Sequence, residues 1–246
     1  MTSRLPVLAL ALALLASACS QTSTATTKAK ASPSPPPAVY AALGASETVG
    51  IGTEDPSRQS FPQLLYQRLP RSAVFYNLGL AGETTAAAVQ DELPAALAAH
   101  PTIATVWFNV DDIAAGVAVA DYETRLDRIV GGLRDGGTER VLVANSPRLD
   151  HLPAYLACRP GGAPTSAKCP LGQVTLPPPE QVNALVDAYN AAALRVAHRH
   201  GAILVDLAAQ DAVVAQHPEY VSPDGLHPSA QGATAIAAIF AASMNG

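Results

Sequence analysis

Apolar and polar positions along the chain fall into two alternating rhythms. Short, nearly unbroken apolar runs occur at VYAAL (Val39–Leu43), AVFYNLGL (Ala73–Leu80), TIATVWFNV (Thr102–Val110), RVLVANSP (Arg140–Pro147) and AILVDL (Ala202–Leu207). Runs of this kind, without strict polar alternation, predict strands buried on both faces. Between them apolar residues recur at helical spacing, which predicts helices over Ser57–Leu69, Thr84–Ala99, Asp121–Asp135, Pro179–His200 and Ala230–Met244. Gly136-Gly137 ends the third of these.

Strands that alternate with helices argue for an α/β fold: a five-stranded, mainly parallel sheet covered on both faces. In such folds a site forms outside the carboxyl ends of the strands. The domain runs from 39 to 246, interrupted between Arg148 and Pro178 by a Pro/Gly-rich insertion. Leu149, Leu152, Tyr155 and Leu156 of that insertion are candidates for an apolar wall over the site.

The first residues follow neither rhythm. Arg4 precedes the apolar run LPVLALALALLASA, which is too short for a comfortable membrane span and ends in Leu15-Ala16-Ser17-Ala18-Cys19. Residues 1–19 therefore read as a targeting segment. They resemble a bacterial lipoprotein signal, with Cys19 as the lipidated residue; an ordinary cleaved secretory signal is the alternative. A lipid at Cys19 would tether the protein to a membrane surface without spanning it. Residues 20–38, nearly all Ser, Thr, Ala, Lys and Pro, carry too little apolar surface to fold and read as a disordered tether.

Composition narrows the function. A net charge of −5 gives no footprint for nucleic acid. Aromatic residues are 5% of the chain against 49% hydrophobic, so the core must be built from Ala, Val, Leu and Ile. Of three cysteines, Cys158 and Cys169 flank RPGGAPTSAK, and in an exported protein a local disulfide between them is the simplest reading. No His or Cys nearby completes a metal site with them. Neither a metal nor an organic cofactor is implied.

Chemistry-bearing residues cluster where the strands end. Ser46 follows the first strand in Gly44-Ala45-Ser46-Glu47-Thr48, and Asn77, Gly79 and Gly82 follow the second. Asn109, Asp111 and Asp112 end the third, and Asn145 and Ser146 the fourth. Asp224 and His227 stand in SPDGLHPSAQG, between the fifth strand and the last helix. A serine hydroxyl needs a base and oxyanion donors before it can act as a nucleophile. His227 suits the base and Asp224, three residues earlier, the group that fixes its tautomer. The amides of Ser46 and Gly82 suit the oxyanion. Asn77 and Asn145 are expected to satisfy loop backbone, and His100, His151, His198, His200 and His217 to lie outside the site.

This ordered set resembles the SGNH or GDSL hydrolase family. Gly44 to Thr48 falls where the family has its Gly-Asp-Ser-Leu turn, Gly82 matches the glycine block, and Asp224-Gly225-Leu226-His227 matches the Asp-x-x-His block. The resemblance implies a three-layer α/β/α sandwich, flavodoxin-like in its sheet. It also implies a serine ester hydrolase acting on a small-molecule or lipid ester through an acyl-Ser46 intermediate. Two positions depart from the pattern. Ala45 replaces an aspartate, and Asn109-Val110-Asp111-Asp112 replaces Gly-x-Asn-Asp, which puts Asp111 where the family asparagine donates to the oxyanion. An ionised aspartate only accepts hydrogen bonds, so Asp111 could serve only when protonated. Asn109, two residues away on the expected strand, is a substitute donor. The departure leaves two other readings: a weakly active or non-catalytic binding lipoprotein, and an envelope carbohydrate O-acetyl esterase or transferase.

Overall fold

The five apolar runs form one sheet. Its strands are β1 (Val39–Gly44), β2 (Val74–Asn77), β3 (Ile103–Trp107), β4 (Arg140–Ala144) and β5 (Ile203–Val205). They lie in the order β2-β1-β3-β4-β5 with every neighbouring pair parallel. Ala42 stands between Asn77 and Thr105, and Val143 between Val106 and Leu204. This order is flavodoxin-like, with its topological switch at β1 and β3. The computed structural model describes residues 36–159 and 176–245. The expected signal segment, the tether through residue 35, Cys19 and Cys169 lie outside these residues.

The helices are α1 (Ser46–Val49), α2 (Pro56–Gln59), α3 (Phe61–Tyr66), α4 (Thr85–Ala88), α5 (Glu92–Ala99) and α6 (Val110–Ala114). They continue with α7 (Val119–Asp135), α8 (Pro153–Cys158), α9 (Pro179–Arg199), α10 (Asp211–Gln216) and α11 (Ala230–Asn245). Side chains alternate across the strands and so build two cores. Ala41, Leu43, Val106 and Val143 face one layer, where Ala88, Leu93, Ile129, Tyr189 and Val196 of α4, α5, α7 and α9 cover them. Tyr40, Ala42, Leu142 and Val205 face the other, under Phe61 and Leu65 of α3 and Ala237 and Phe240 of α11. Stacking of Phe61 on Phe240, centroids 4.8 Å apart, closes that second layer.

Two expected helices are broken. The segment expected as Ser57–Leu69 is split at Ser60, which is extended (φ −61°, ψ 146°), and the segment Thr84–Ala99 is split between Ala88 and Glu92. Pro62 and Pro94 each stand in the first turn of the second piece. A proline further inside a helix would lose an amide bond and strike the carbonyl four residues earlier. The strands also stop short of their expected ends. Leu78–Leu80, Phe108–Val110 and Asn145–Pro147 leave the sheet, and with them go the polar residues of the candidate site.

Candidate active site

The site is built from the turn after β1. Gly44 has φ +151°, and a Cβ there would lie 2.3 Å from Thr48 Oγ1 and 2.6 Å from the Trp107 carbonyl, so only glycine fits. The amides of Thr48 and Val49 donate to the Ala45 carbonyl, which opens α1 with Ser46 as its first residue. The N–H of Ser46 has no protein acceptor among the described residues. From α5, the buried Glu92 accepts the Gly44 N–H on Oε2 at 2.8 Å. Burial dominates its titration and pushes its carboxyl up to about 9, against the hydrogen bond from Gly44, so Glu92 is neutral at pH 7.

The glycine block lies beside this turn. The Leu80 amide donates to the Gly44 carbonyl at 3.0 Å, and the Glu83 amide donates back to the Leu80 carbonyl. Gly82 occupies the third position of that turn with φ +79°, the conformation of a type II turn. A Cβ on Gly82 would meet no protein atom within 4 Å, so its dihedral, not crowding by the protein, calls for glycine. Its N–H also has no protein acceptor among the described residues.

His227 arrives from the other end of the chain. A turn closed by Gly225 N–H to the Ser222 carbonyl and by Ser222 N–H to the His227 carbonyl presents the ring. Its Nε2 lies 3.0 Å from Ser46 Oγ, and its Nδ1 lies 2.8 Å from Asp224 Oδ2. Asp224 Oδ1 accepts the amides of Leu226 and His227 at 2.8 and 3.0 Å. Partial burial works to raise the Asp224 carboxyl, but these donors and the His227 ring outweigh it and hold it at about 2. The ionised Asp224 keeps a proton on Nδ1, which leaves the Nε2 lone pair facing the serine hydroxyl. Ser46 Oγ has a second acceptor, Glu47 Oε2, at 3.3 Å.

The third block differs from expectation. β3 ends at Trp107, so Asn109 and Asp111 do not share a strand face; Asn109 precedes α6 and Asp111 lies in its first turn. Asn109 is buried, and its Oδ1 accepts the Ser146 hydroxyl at 2.6 Å, while Trp107 Nε1–H donates to the same Ser146 oxygen at 3.2 Å. Asp112 is buried and accepts the Thr85 N–H and hydroxyl at 2.9 and 2.7 Å, which ties α6 to the start of α4. Asp111 is half-buried. Burial first, then the negative charges of Glu47, Asp112 and Glu83, push its carboxyl up to about 6, with His227 pulling the other way. Protonated, Asp111 is a hydrogen-bond donor next to the imidazole; ionised, it is not.

An apolar cavity of about 310 Å³ opens beside Glu47 and His227. Trp107, Leu207 and Ile236 contribute to its walls, and Leu149 and Leu152 of the insertion do so as expected. Tyr155 instead packs against Val182 and Val186 with its hydroxyl on the Pro177 carbonyl, and Leu156 is exposed. Asn77 bonds the Thr48 carbonyl and the Gly79 amide, and Asn145 bonds Asp206 and the Ala208 amide; both hold loops. His200 pairs with Asp127 and His217 with Glu219, away from the serine. Among the described residues no group of three or more His, Cys, Asp or Glu side chains could hold a metal ion. Sequence reasoning placed Ser146 at the site without a role and missed Glu92 and Glu47 as members of it. Of these only Glu92, a carboxylate among the apolar positions of α5, left a signal in the pattern.

The model of the GDSL-like lipase/acylhydrolase family matches residues 42–235. No curated protein sequence matches the chain. Solved structures agree in fold. An α/β hydrolase enzyme from the metagenome of Lake Arreo, Spain, is 20% identical with a TM-score of 0.63, over 85% of this chain and 95% of that one. A psychrotrophic esterase from Pseudoalteromonas sp., inhibited by monoethylphosphonate, is 16% identical with a TM-score of 0.61, over 84% and 96%. An acetyl-xylooligosaccharide esterase from Geobacillus is 15% identical with a TM-score of 0.62, over 85% and 94%. With its parallel sheet and its family match over most of the length, the chain belongs to the GDSL-like lipase/acylhydrolase family and is an ester hydrolase.

Proposed function

We propose that the protein is an exported serine esterase that cleaves carboxylic esters through an acyl-Ser46 intermediate. The observation that carries this reading is the 3.0 Å approach of His227 Nε2 to Ser46 Oγ, with Asp224 on the far side of the ring. Ser46 attacks the ester carbonyl while His227 takes its proton. The amides of Ser46 and Gly82, joined by protonated Asp111, receive the oxyanion. The intermediate collapses, His227 returns the proton to the departing alcohol, and the acyl group stays on Ser46. Water then attacks, again through His227, and the carboxylic acid leaves.

Export rests on the leader and on Cys19, whose lipid would hold the domain at a membrane surface on the tether of residues 20–38. An oxidising compartment would pair Cys158 with Cys169. The test is release of acid from short aryl esters, followed by titration. Turnover that vanishes in Ser46→Ala supports the reading, and equal turnover in that variant overturns it. Movement of the protein from the membrane to the soluble fraction in Cys19→Ser tests the anchor; no movement removes it.

A further inference from the structure

Glu47 stands where the family turn carries leucine. It is half-buried, lines the cavity beside His227, and its Oε2 lies 3.3 Å from Ser46 Oγ. Among the described residues no Lys, Arg or His forms an ion pair with it. The walls beyond are apolar, including Trp107, Leu152, Leu207, Val221 and Ile236. Arg148 also lines the cavity, and its guanidinium is held by Asp211 at 3.7 Å and Asp187 at 3.4 Å. Asp111, beside the imidazole, lies close enough to feel Glu47 and Glu83, and among the described residues the cavity's one guanidinium, that of Arg148, is already paired.

We propose that this cavity takes the hydrocarbon chain of an ester whose remainder is uncharged or cationic, and that Glu47 is the residue that rejects anionic esters. The inference rests on the serine-esterase reading and names the substrate class of that same site. A cavity of about 310 Å³ is at the low end for small-molecule pockets, which suits a medium chain better than an acetyl group. Its lining rewards each buried methylene, whereas an anionic group near Glu47 meets a like charge in a half-desolvated setting. The chemistry is unchanged: ester and water become acid and alcohol. The acid formed beside Glu47 ionises and is repelled from the site.

The experiment compares kcat/KM for hexanoate esters of choline, of its uncharged isostere 3,3-dimethylbutanol and of 3-hydroxypropanoate. The expected order is cationic at least equal to neutral, with the anionic ester about tenfold or more below. That ratio narrows sharply in Glu47→Gln. It also narrows in the unmodified protein at about 1 M salt, where the screening length falls to about 3 Å. A ratio that stays the same in Glu47→Gln and at high salt overturns the role of Glu47. A chain-length series on the acyl side, and one on the alcohol side of acetates, shows which half enters the cavity. Ala235→Phe, on the cavity wall, should lower the preference for longer chains in that half. Absence of any chain preference in both series overturns the cavity assignment. If no ester is turned over and Ser46 takes no phosphonate, the esterase reading itself falls and the inference with it, an outcome distinct from turnover without selectivity.

Discussion

Glu92 accepts the Gly44 amide hydrogen at 2.8 Å from an almost fully buried position, and so braces, from α5, the turn that carries Ser46. Ala45, in the turn itself, has no side chain that could accept this hydrogen, and the brace comes from α5. Glu92→Gln keeps an acceptor for Gly44 and should retain turnover. Glu92→Ala leaves a buried N–H unpaired and should cost about 1–3 kcal/mol, with a loss of turnover, in denaturant melts and ester assays.

The same residue makes stability depend on pH. Its folded carboxyl titrates at about 9, against 4.5 for the free group. Between those values the folded protein keeps a proton that the unfolded chain releases, so the contribution of Glu92 is full in acid and is lost as pH rises toward about 9. Glu92→Gln does not titrate. Its stability relative to the unmodified protein should therefore rise from about pH 5 to about pH 8, read from urea melts at both.

Asp112 and Thr85 form a closed pair of hydrogen bonds, 2.9 and 2.7 Å, with both residues fully buried. Asp112→Ala and Thr85→Val should each destabilise by about 1–3 kcal/mol. Because they break one shared interaction, the double variant should lose clearly less than the sum, as a double-mutant cycle would register.

Asp111 should place a descending limb on the pH profile. With its carboxyl at about 6, it donates to an oxyanion in acid and becomes a repelling charge above that value. Asp111→Asn donates at every pH. The variant should gain turnover near neutrality, where one restored oxyanion donor is worth up to about a hundredfold, and should lose the descending limb. Profiles of kcat against pH for the two proteins measure both effects.

Strands and motifs were legible because each is local. VYAAL and TIATVW are apolar without alternation, and they form the central strands β1 and β3. Asp224 and His227 are three residues apart, so their pairing could be read directly. Helix breaks were harder, since Ala88 of α4 and Leu93 and Ala96 of α5 face one core and the periodicity runs through the interruption. Contacts such as Glu92 with Gly44 and Ser146 with Asn109 join residues 48 and 37 positions apart. Such contacts depend on which helix covers which strand end, and hydrophobic spacing carries no information about that. The end of β3 was misplaced for a related reason: Phe108 is buried in the core although it has left the strand.

Asp224→Asn removes the charge that holds the His227 tautomer, while its amide can still occupy the same space. Turnover should fall by on the order of 10³–10⁴ with little change in the melting transition, because Asp224 is a partly exposed loop residue.

The most direct measurement is reaction with a fluorophosphonate, followed by mass analysis of the peptide that carries the adduct. The account predicts one equivalent of phosphonate on Ser46, no adduct in Ser46→Ala, and labelling slowed severely in His227→Ala. An adduct on another residue, or labelling of Ser46 at the same rate without His227, would contradict it.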